Sequence, residues 1–188
     1  MHLAKPRPPL ASIIKVQTIQ AAQGQEEIIL ARETPSYQKA IESLTAQAFG
    51  PGRYSRSAHL LRQDIGHDPL LSFIILGRNG LLASLRMNAI KIAKQRGALL
   101  GPLVVTSDYQ NYGLGKQLMH TAQQEAHKRQ VPFLLLIGDA AYYQRFGFSQ
   151  VPNGQIRLPA PADPTRVLAY EIIPETLAKS HGLVRPGW

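Results

Sequence analysis

Cysteine is absent from the 188 residues. That removes disulfides, thiolate metal sites and a cysteine nucleophile, and it fits a reducing, cytoplasmic setting. Acidic residues are scarce, with 12 Asp and Glu against 21 Lys and Arg, for a formal charge of +9. None lies between Pro69 and Ser107, where Arg78, Arg86, Lys91, Lys94 and Arg96 occur, so one face or edge there is expected to be positive. Long apolar runs are missing too: Leu70 to Leu76 and Val131 to Ile137 are strand-length, short of the roughly 18 residues that span a bilayer, and no membrane association is expected. Lys5 and Arg7 meet prolines at once and do not build a signal peptide. The histidines, among them His59, His67, His120 and His127, lack HExxH spacing, so no metal is expected.

What is present first points to anionic ligands, because so much positive charge steers anions inward. Nucleic acid is one class and a phosphorylated cofactor another. The chain has neither an aromatic-basic RNP pattern nor zinc-finger spacing, so nucleic acid is not expected as a partner.

The length suits one domain, 1–188, with an N-terminal extension (1–25), a core (26–150) and C-terminal strands and tail (151–188). The extension, proline-rich and then glutamine-rich, is read as lying on the domain or partly mobile. Ile28-Ile29-Leu30 reads as a buried strand, and Thr34-Pro35 as a helix N-cap and first turn, with a helix to about Ala48 stopped by Gly50-Pro51-Gly52. A shorter helix is expected over Arg53 to Gln63. Leu70 to Gly77 and Leu81 to Ile92 read as a hairpin around Asn79-Gly80, with positive φ angles in the turn, and Ala98 to Thr106 as the next strand of a meander. Leu114, Leu118, Ala122 and Ala126 mark one face of a helix over Gly113 to Arg129. Val131 to Ile137 is apolar throughout, which suits a parallel strand reached by a right-handed crossover. Asp139 is placed to cap a short helix that Gly147 closes, and Arg166 to Ile173 reads as a strand.

Gly113 and Gly115 stand where a strand hands over to a helix, so backbone N–H groups there can crowd against a phosphate at the positive helix end, with Lys116 adding charge. Glycines before a helix also simply make turns. A P-loop is excluded, since Gln110 stands where glycine is needed and Gln117 where Ser or Thr is needed. A dinucleotide fingerprint fails as well, with Leu118 at its third small position.

The stretch Leu103-Val104-Val105-Thr106-Ser107-Asp108-Tyr109-Gln110-Asn111-Tyr112-Gly113-Leu114-Gly115 resembles the LxVxPxxQ/RxxGxG/A cofactor motif of the GCN5-related N-acetyltransferase (GNAT) superfamily, with Ser107 in place of proline. Gly138 to Phe148, GDAAYYQRFGF, resembles the family's FYxxxGF element and is similar to a bacterial branch of uncharacterised predicted acetyltransferases. The resemblance covers 26–150 well, the tail moderately and the extension not at all. It implies an α/β (mixed α+β) GNAT fold: a central, mostly antiparallel sheet of six to seven strands with its fourth and fifth strands splayed, flanked by about four helices. It implies an acetyl-CoA-dependent N-acyltransferase acting on a primary amine by direct attack in a ternary complex, with acetyl-CoA as cosubstrate. It places the pantetheine arm on the backbone of Leu103, Val104 and Val105, the Val105 N–H on the oxyanion, and the pyrophosphate on Gln110, Asn111, Tyr112, Gly113, Leu114, Gly115 and Lys116. Tyr143 matches the family tyrosine that protonates the leaving thiolate, and Tyr142 is read as the core member of that pair.

An amine acceptor must lose a proton, because a free lysine-type amine has a pKa of about 10.4. The resemblance leads to a carboxylate on or beside the fourth strand, and none lies between Pro69 and Ser107. Asp64, His67 and Asp68 lie near an acceptor entrance, Asp108 falls in the cofactor loop, and a water relay is the further route. Arg145 reads either as a phosphate contact or as a stacked surface residue. The positive charge favours an anionic acceptor, protein or small molecule, over a polyamine. A non-catalytic acetyl-CoA-binding protein is the alternative to an enzyme, with a basic nucleic-acid-binding module behind it. A homodimer is left open.

Overall fold

The computed structural model describes residues 7–22, 24–50, 57–62 and 65–187. Its frame is a twisted sheet of β1 (Ile13–Ala21), β2 (Gly24–Arg32), β3 (Phe73–Gly77), β4 (Gly80–Ile92), β5 (Gln95–Val105), β6 (Phe133–Ile137), β7 (Ser149–Gln150), β8 (Ile156–Arg157), β9 (Val167–Glu171) and β10 (Gly182–Pro186). The main order is β1-β2-β3-β4-β5-β6-β9-β7, with β10 pairing to both β4 and β8. Every pairing on the main path is antiparallel except β5 with β6. The helices are α1 (Gln38–Phe49), α2 (Ser57–Leu60), α3 (Leu114–Lys128) and α4 (Ala140–Tyr143). This is the mixed, mostly antiparallel architecture with about four helices, and its strands outnumber the expected six to seven. The excess consists of edge strand β1, the two-residue strands β7 and β8, and the last strand, β10.

Period-two burial decides the two faces. Ala98, Leu100, Leu134 and Leu136 join Leu114, Leu118, Ala122 and Ala126 of α3 on one face. Leu99, Leu135 and Phe133 point the other way, onto Leu61 and Val184, while Ile41 of α1 packs on Ala31, Ile74 and Leu76. Burial of an apolar stripe is what holds a helix such as α3 in place, since its propensity alone is marginal in water.

Several expectations need correction. Residues 13–21 form edge strand β1, paired with β2 from Ile13↔Ala31 to Ala21↔Gly24. Most of β1 is exposed, Ile14 and Val16 included, which explains its weak periodicity. Thr34 does not cap: its Oγ1 meets Ser36 Oγ at 2.8 Å, and a 3-10 turn over Pro35–Tyr37 precedes α1. In the β3–β4 turn only Gly80 takes positive φ, at 115°, and the register shifts beside it. That is the signature of a bulged hairpin rather than an Asn-Gly turn with two positive φ angles. Of the helix expected over 53–63, Ser57–Leu60 is observed, and 53–56 and 63 lie outside the described residues.

β5 makes the site. It pairs with β6 only at Ala98↔Leu134 and Leu99↔Leu135, and β6 then continues its ladder with β9 through Leu136 and Ile137. On its other side β5 slips by one residue, Leu85↔Leu103 being followed by Met87↔Leu100. A bulge of this kind bends its strand. Beyond Leu99, β5 therefore leans from β6 and leaves an open V.

Candidate active site

Inside the V the backbone of β5 has a free edge. Thr106 N donates to Leu82 O at 2.8 Å, so the alternation of an antiparallel ladder turns the polar groups of Val104 toward β4 and those of Leu103 and Val105 toward the opening. The chain then makes a 3-10 turn, Ser107–Tyr109, and reaches α3 through Gly113, which is left-handed at φ 78°. Asn111 is left-handed as well, at φ 71°. The first N–H groups of α3 have no partners within the helix, and its N-terminal end carries partial positive charge. Lys116 is exposed beside them. Tyr109 anchors this loop by donating its hydroxyl to buried Glu26, whose Oε1 also accepts from Arg78 N at 2.8 Å. That hydrogen bond raises the Tyr109 phenol above its ordinary pKa.

Asp139 caps α4 through Ala141 N at 3.0 Å, and the two tyrosines of α4 line the cleft. Their burial differs from the expected division. The ring of Tyr143 lies so close over Gly138 that a Cβ there would stand 2.4 Å from it, and burial pushes the phenol up to about 12. Tyr142 is the less buried of the two. A Cβ on Gly115 would stand 3.0 Å from the Tyr142 hydroxyl and 3.7 Å from Val105 Cγ2, which puts that hydroxyl at the junction of α3 and β5. Arg145 stacks on the Tyr142 ring at 4.9 Å.

The V opens into a cleft of about 1340 Å³ that runs away from the loop before α3, between α1, α2, β4 and the loop around Pro161. At its wall lies a group the sequence does not disclose. Glu33, one residue beyond β2 and with a side chain only 1% exposed, takes both Nε (2.8 Å) and Nη2 of Arg86. His67 Nε2 stands 3.2 Å from Glu33 Oε1. Burial lowers the His67 pKa below its ordinary value, with Arg86 in the same direction and Glu33 and Asp68 opposing. Asp68 is committed to a turn: its Oδ1 accepts from Leu70 N at 2.8 Å, and its own N–H donates to Met87 O at 2.7 Å. Asp108 is exposed in the 3-10 turn, and Asp64 lies outside the described residues.

Sequence reasoning reaches His67 as a candidate base and misses its partners, Glu33 and Arg86. It counts Arg86 toward an open positive face, whereas the structure neutralises that arginine against Glu33. The signal available is a lone arginine in the apolar run of β4 and a lone glutamate closing that of β2. Their meeting depends on strand order. Among the described residues no group of three His, Asp or Glu could hold a metal ion, and no helix is long and apolar enough to cross a membrane.

Comparison with known proteins bears on this arrangement. Residues 73–150 match the family described as acetyltransferase (GNAT) domain. No curated protein matches the chain by sequence. Among solved structures, the GNAT family N-acetyltransferase YhbS from Escherichia coli in complex with CoA superposes with a TM-score of 0.72 at 20% identity, over 85% of this chain and 89% of that one. A GNAT family acetyltransferase from Brucella melitensis in complex with acetyl-CoA gives 0.55 at 20% identity, over 77% and 96%. The ribosomal-protein-S18-alanine N-acetyltransferase from Escherichia coli gives 0.54 at 20% identity, over 78% and 94%. With the open V, the helix start behind it and the family match falling on one stretch of chain, residues 73–150 match an acetyltransferase (GNAT) domain and the protein is built on the GNAT fold.

Proposed function

We propose that the protein transfers an acetyl group from acetyl-CoA to a primary amine by direct attack within a ternary complex, in a cytoplasmic setting. The observation that carries this reading is the free β5 edge at Leu103 and Val105, next to the left-handed Gly113 and the start of α3. The donor set fits: N–H and C=O groups on an open edge pair with an amide-bearing arm, and helix-start N–H groups from Asn111 to Lys116 hold a pyrophosphate. The CoA and acetyl-CoA complexes of proteins with this fold support the same ligand.

Acetyl-CoA supplies a thioester carbonyl: the amine nitrogen bonds to its carbon, the C–S bond breaks, and an ammonium acceptor loses two protons in becoming an amide while the departing thiolate takes up one. The Val105 N–H holds the oxygen on which charge develops. His67 takes the proton from the acceptor nitrogen. Glu33 fixes the ring with Nε2 as donor and leaves Nδ1 with a free lone pair, as a carboxylate does for a catalytic imidazole. The lowered His67 pKa keeps the ring neutral and ready. Tyr143 donates a hydrogen bond to the leaving sulfur. With its phenol near 12 against about 8.5 for a thiol, it stabilises the thiolate chiefly without surrendering the proton. Tyr142 borders the path of the arm.

The test pairs calorimetric binding of acetyl-CoA with thiol release across amines, amino acids and peptides. Binding, intersecting initial-velocity lines, and a kcat loss of about 10²–10³ in Tyr143→Phe with acetyl-CoA affinity retained are expected. Parallel lines would point to an acyl-enzyme, and unchanged turnover in Tyr143→Phe would remove that residue from the mechanism.

A further inference from the structure

Two polar atoms in the acceptor half of the cleft are buried and lack partners among the described residues: Nε of Arg62 and Oδ1 of Asn88. Their surroundings make them unusual. Arg62 follows α2 and reaches over the bulge of β5, where a Cβ on Gly101 would stand 3.3 Å from its Nη2. Burial lowers this guanidinium to about 10, with no acidic group among the described residues opposing the shift. It remains charged at neutral pH. Asn88 lies on β4 opposite Leu99 and donates through Nδ2 to Ile65 O at 3.3 Å. That bond fixes which way the amide faces and leaves the oxygen as the unused acceptor.

Both groups are costly to bury as they stand. A desolvated charge is strongly unfavourable without a counter-charge, and an unmet buried acceptor costs about 1–3 kcal/mol. The cleft shows the contrast directly, since half-buried Arg86 on its wall is engaged through both Nε and Nη2 by Glu33. The acids around the cleft are already engaged: Glu33 by Arg86, Asp139 by Ala141 N, Asp163 by Thr165, and Glu42, exposed at the rim, by Gln38 at 3.0 Å. None of them turns to Arg62. A guanidinium with an unpartnered buried Nε and an amide with an unpartnered Oδ1 in one cavity define a complementary ligand, one with an anion at one end and N–H donors near it.

We propose that the acceptor is a small aminocarboxylate, whose carboxylate binds the Arg62 guanidinium and whose amine donates to Asn88 Oδ1 on its way to the thioester beside β5. The inference rests on the acetyltransferase reading of the same cleft and narrows its substrate. It excludes polyamines, which bring positive charge to Arg62 and nothing to neutralise it. Arginine suits the role because its planar fork binds a carboxylate through two parallel hydrogen bonds. Arg62 and Asn88 bind and orient the acceptor; proton transfer stays with His67.

The test uses the full chain with acetyl-CoA and reads free thiol for the common amino acids, β-alanine and 4-aminobutyrate, each beside its carboxamide and its decarboxylated amine. At least one aminocarboxylate should be consumed, with kcat/KM at least about a hundredfold above its carboxamide, the scale expected for losing a buried charge pair. Arg62→Met should lower kcat/KM for that acid by a similar factor, mainly through KM, without changing the calorimetric Kd of acetyl-CoA. Arg62→Lys should recover part of the loss. The acid-against-carboxamide comparison is made on the unaltered protein and decides the matter even where a variant folds poorly. Equal turnover of acid and carboxamide, preference for a peptide amine irrespective of nearby carboxylates, or acetyl-CoA binding with no aminocarboxylate consumed would each overturn the inference and leave the transferase reading in place. Failure of acetyl-CoA to bind the unaltered protein would overturn both.

Discussion

On the proposed cofactor side of the V, one stretch of chain from Leu103 to Lys116 would supply nearly everything, and mostly with its backbone: a free strand edge, a left-handed Gly113 and the N–H groups that open α3. On the acceptor side, Glu33, Arg62, His67, Arg86 and Asn88 arrive from four separate parts of the chain, and the chemistry lies wholly in their side chains. Backbone recognition suits a ligand arm built of amides and phosphates. Side-chain recognition lets one fold serve many acceptors, because a handful of substitutions resets the cleft while the sheet stands.

Changes on the acceptor side should cost catalysis while sparing cofactor affinity. The largest effect is expected for His67→Gln, with kcat lower by about 10²–10⁴ and an unaltered acetyl-CoA Kd by calorimetry. Unchanged kcat would return the base role to a water relay. Arg86→Met removes the partner of a carboxylate only 1% exposed and should lower stability by about 3–5 kcal/mol in urea titrations. A loss below about 1 kcal/mol would show that Glu33 takes up a proton or finds water. On the cofactor side, Gly113→Ala imposes a left-handed backbone on a residue with a Cβ, at about 1–2 kcal/mol. It should weaken acetyl-CoA about tenfold with little change in kcat at saturation; the reverse split would mean that the loop contributes to chemistry.

The smallest effect is in pH. With its folded pKa lowered, His67 binds fewer protons folded than unfolded near pH 6.5, so stability rises with pH there. Its contribution is fully present above the unfolded value near 6.5 and fades as pH falls through the lower folded value. The pH profile of kcat/KM should show an acid limb with a midpoint below 6.5 that disappears in His67→Gln. A limb that survives the substitution belongs to another group.

The same contrast explains what can be read from sequence. The cofactor side is legible because its signals are contiguous: Val104-Val105 before a turn, Gly113 and Gly115 before an apolar-periodic helix, and an Asp139-capped turn ending at Gly147. The meander and the crossover to β6 follow from period and turn residues. Of the acceptor side only His67 is legible, because Glu33 and Arg86 are 53 positions apart and meet only once β2, β3 and β4 are laid side by side. Which of Tyr142 and Tyr143 is the more buried is beyond sequence as well, since adjacent residues on a single helical turn differ in burial only through what packs against them, here Gly138 against Tyr143. Edge strand β1 escapes notice because its exposed face carries Ile14 and Val16 while its other face is only partly buried and carries Lys15 and Gln17.

The central claim is that the ligand arm and pyrophosphate are held by the backbone of 103–116, with the Glu33–His67–Arg86 group lying beyond their reach. Titrating uniformly ¹⁵N-labelled protein with CoA and following the amide resonances tests it most directly. Large shifts at Val105 and across Asn111 to Lys116, with small ones at Glu33, Arg62 and Arg86, are the predicted result; shifts centred on Arg62 and Arg86 with a silent Gly113 would contradict it.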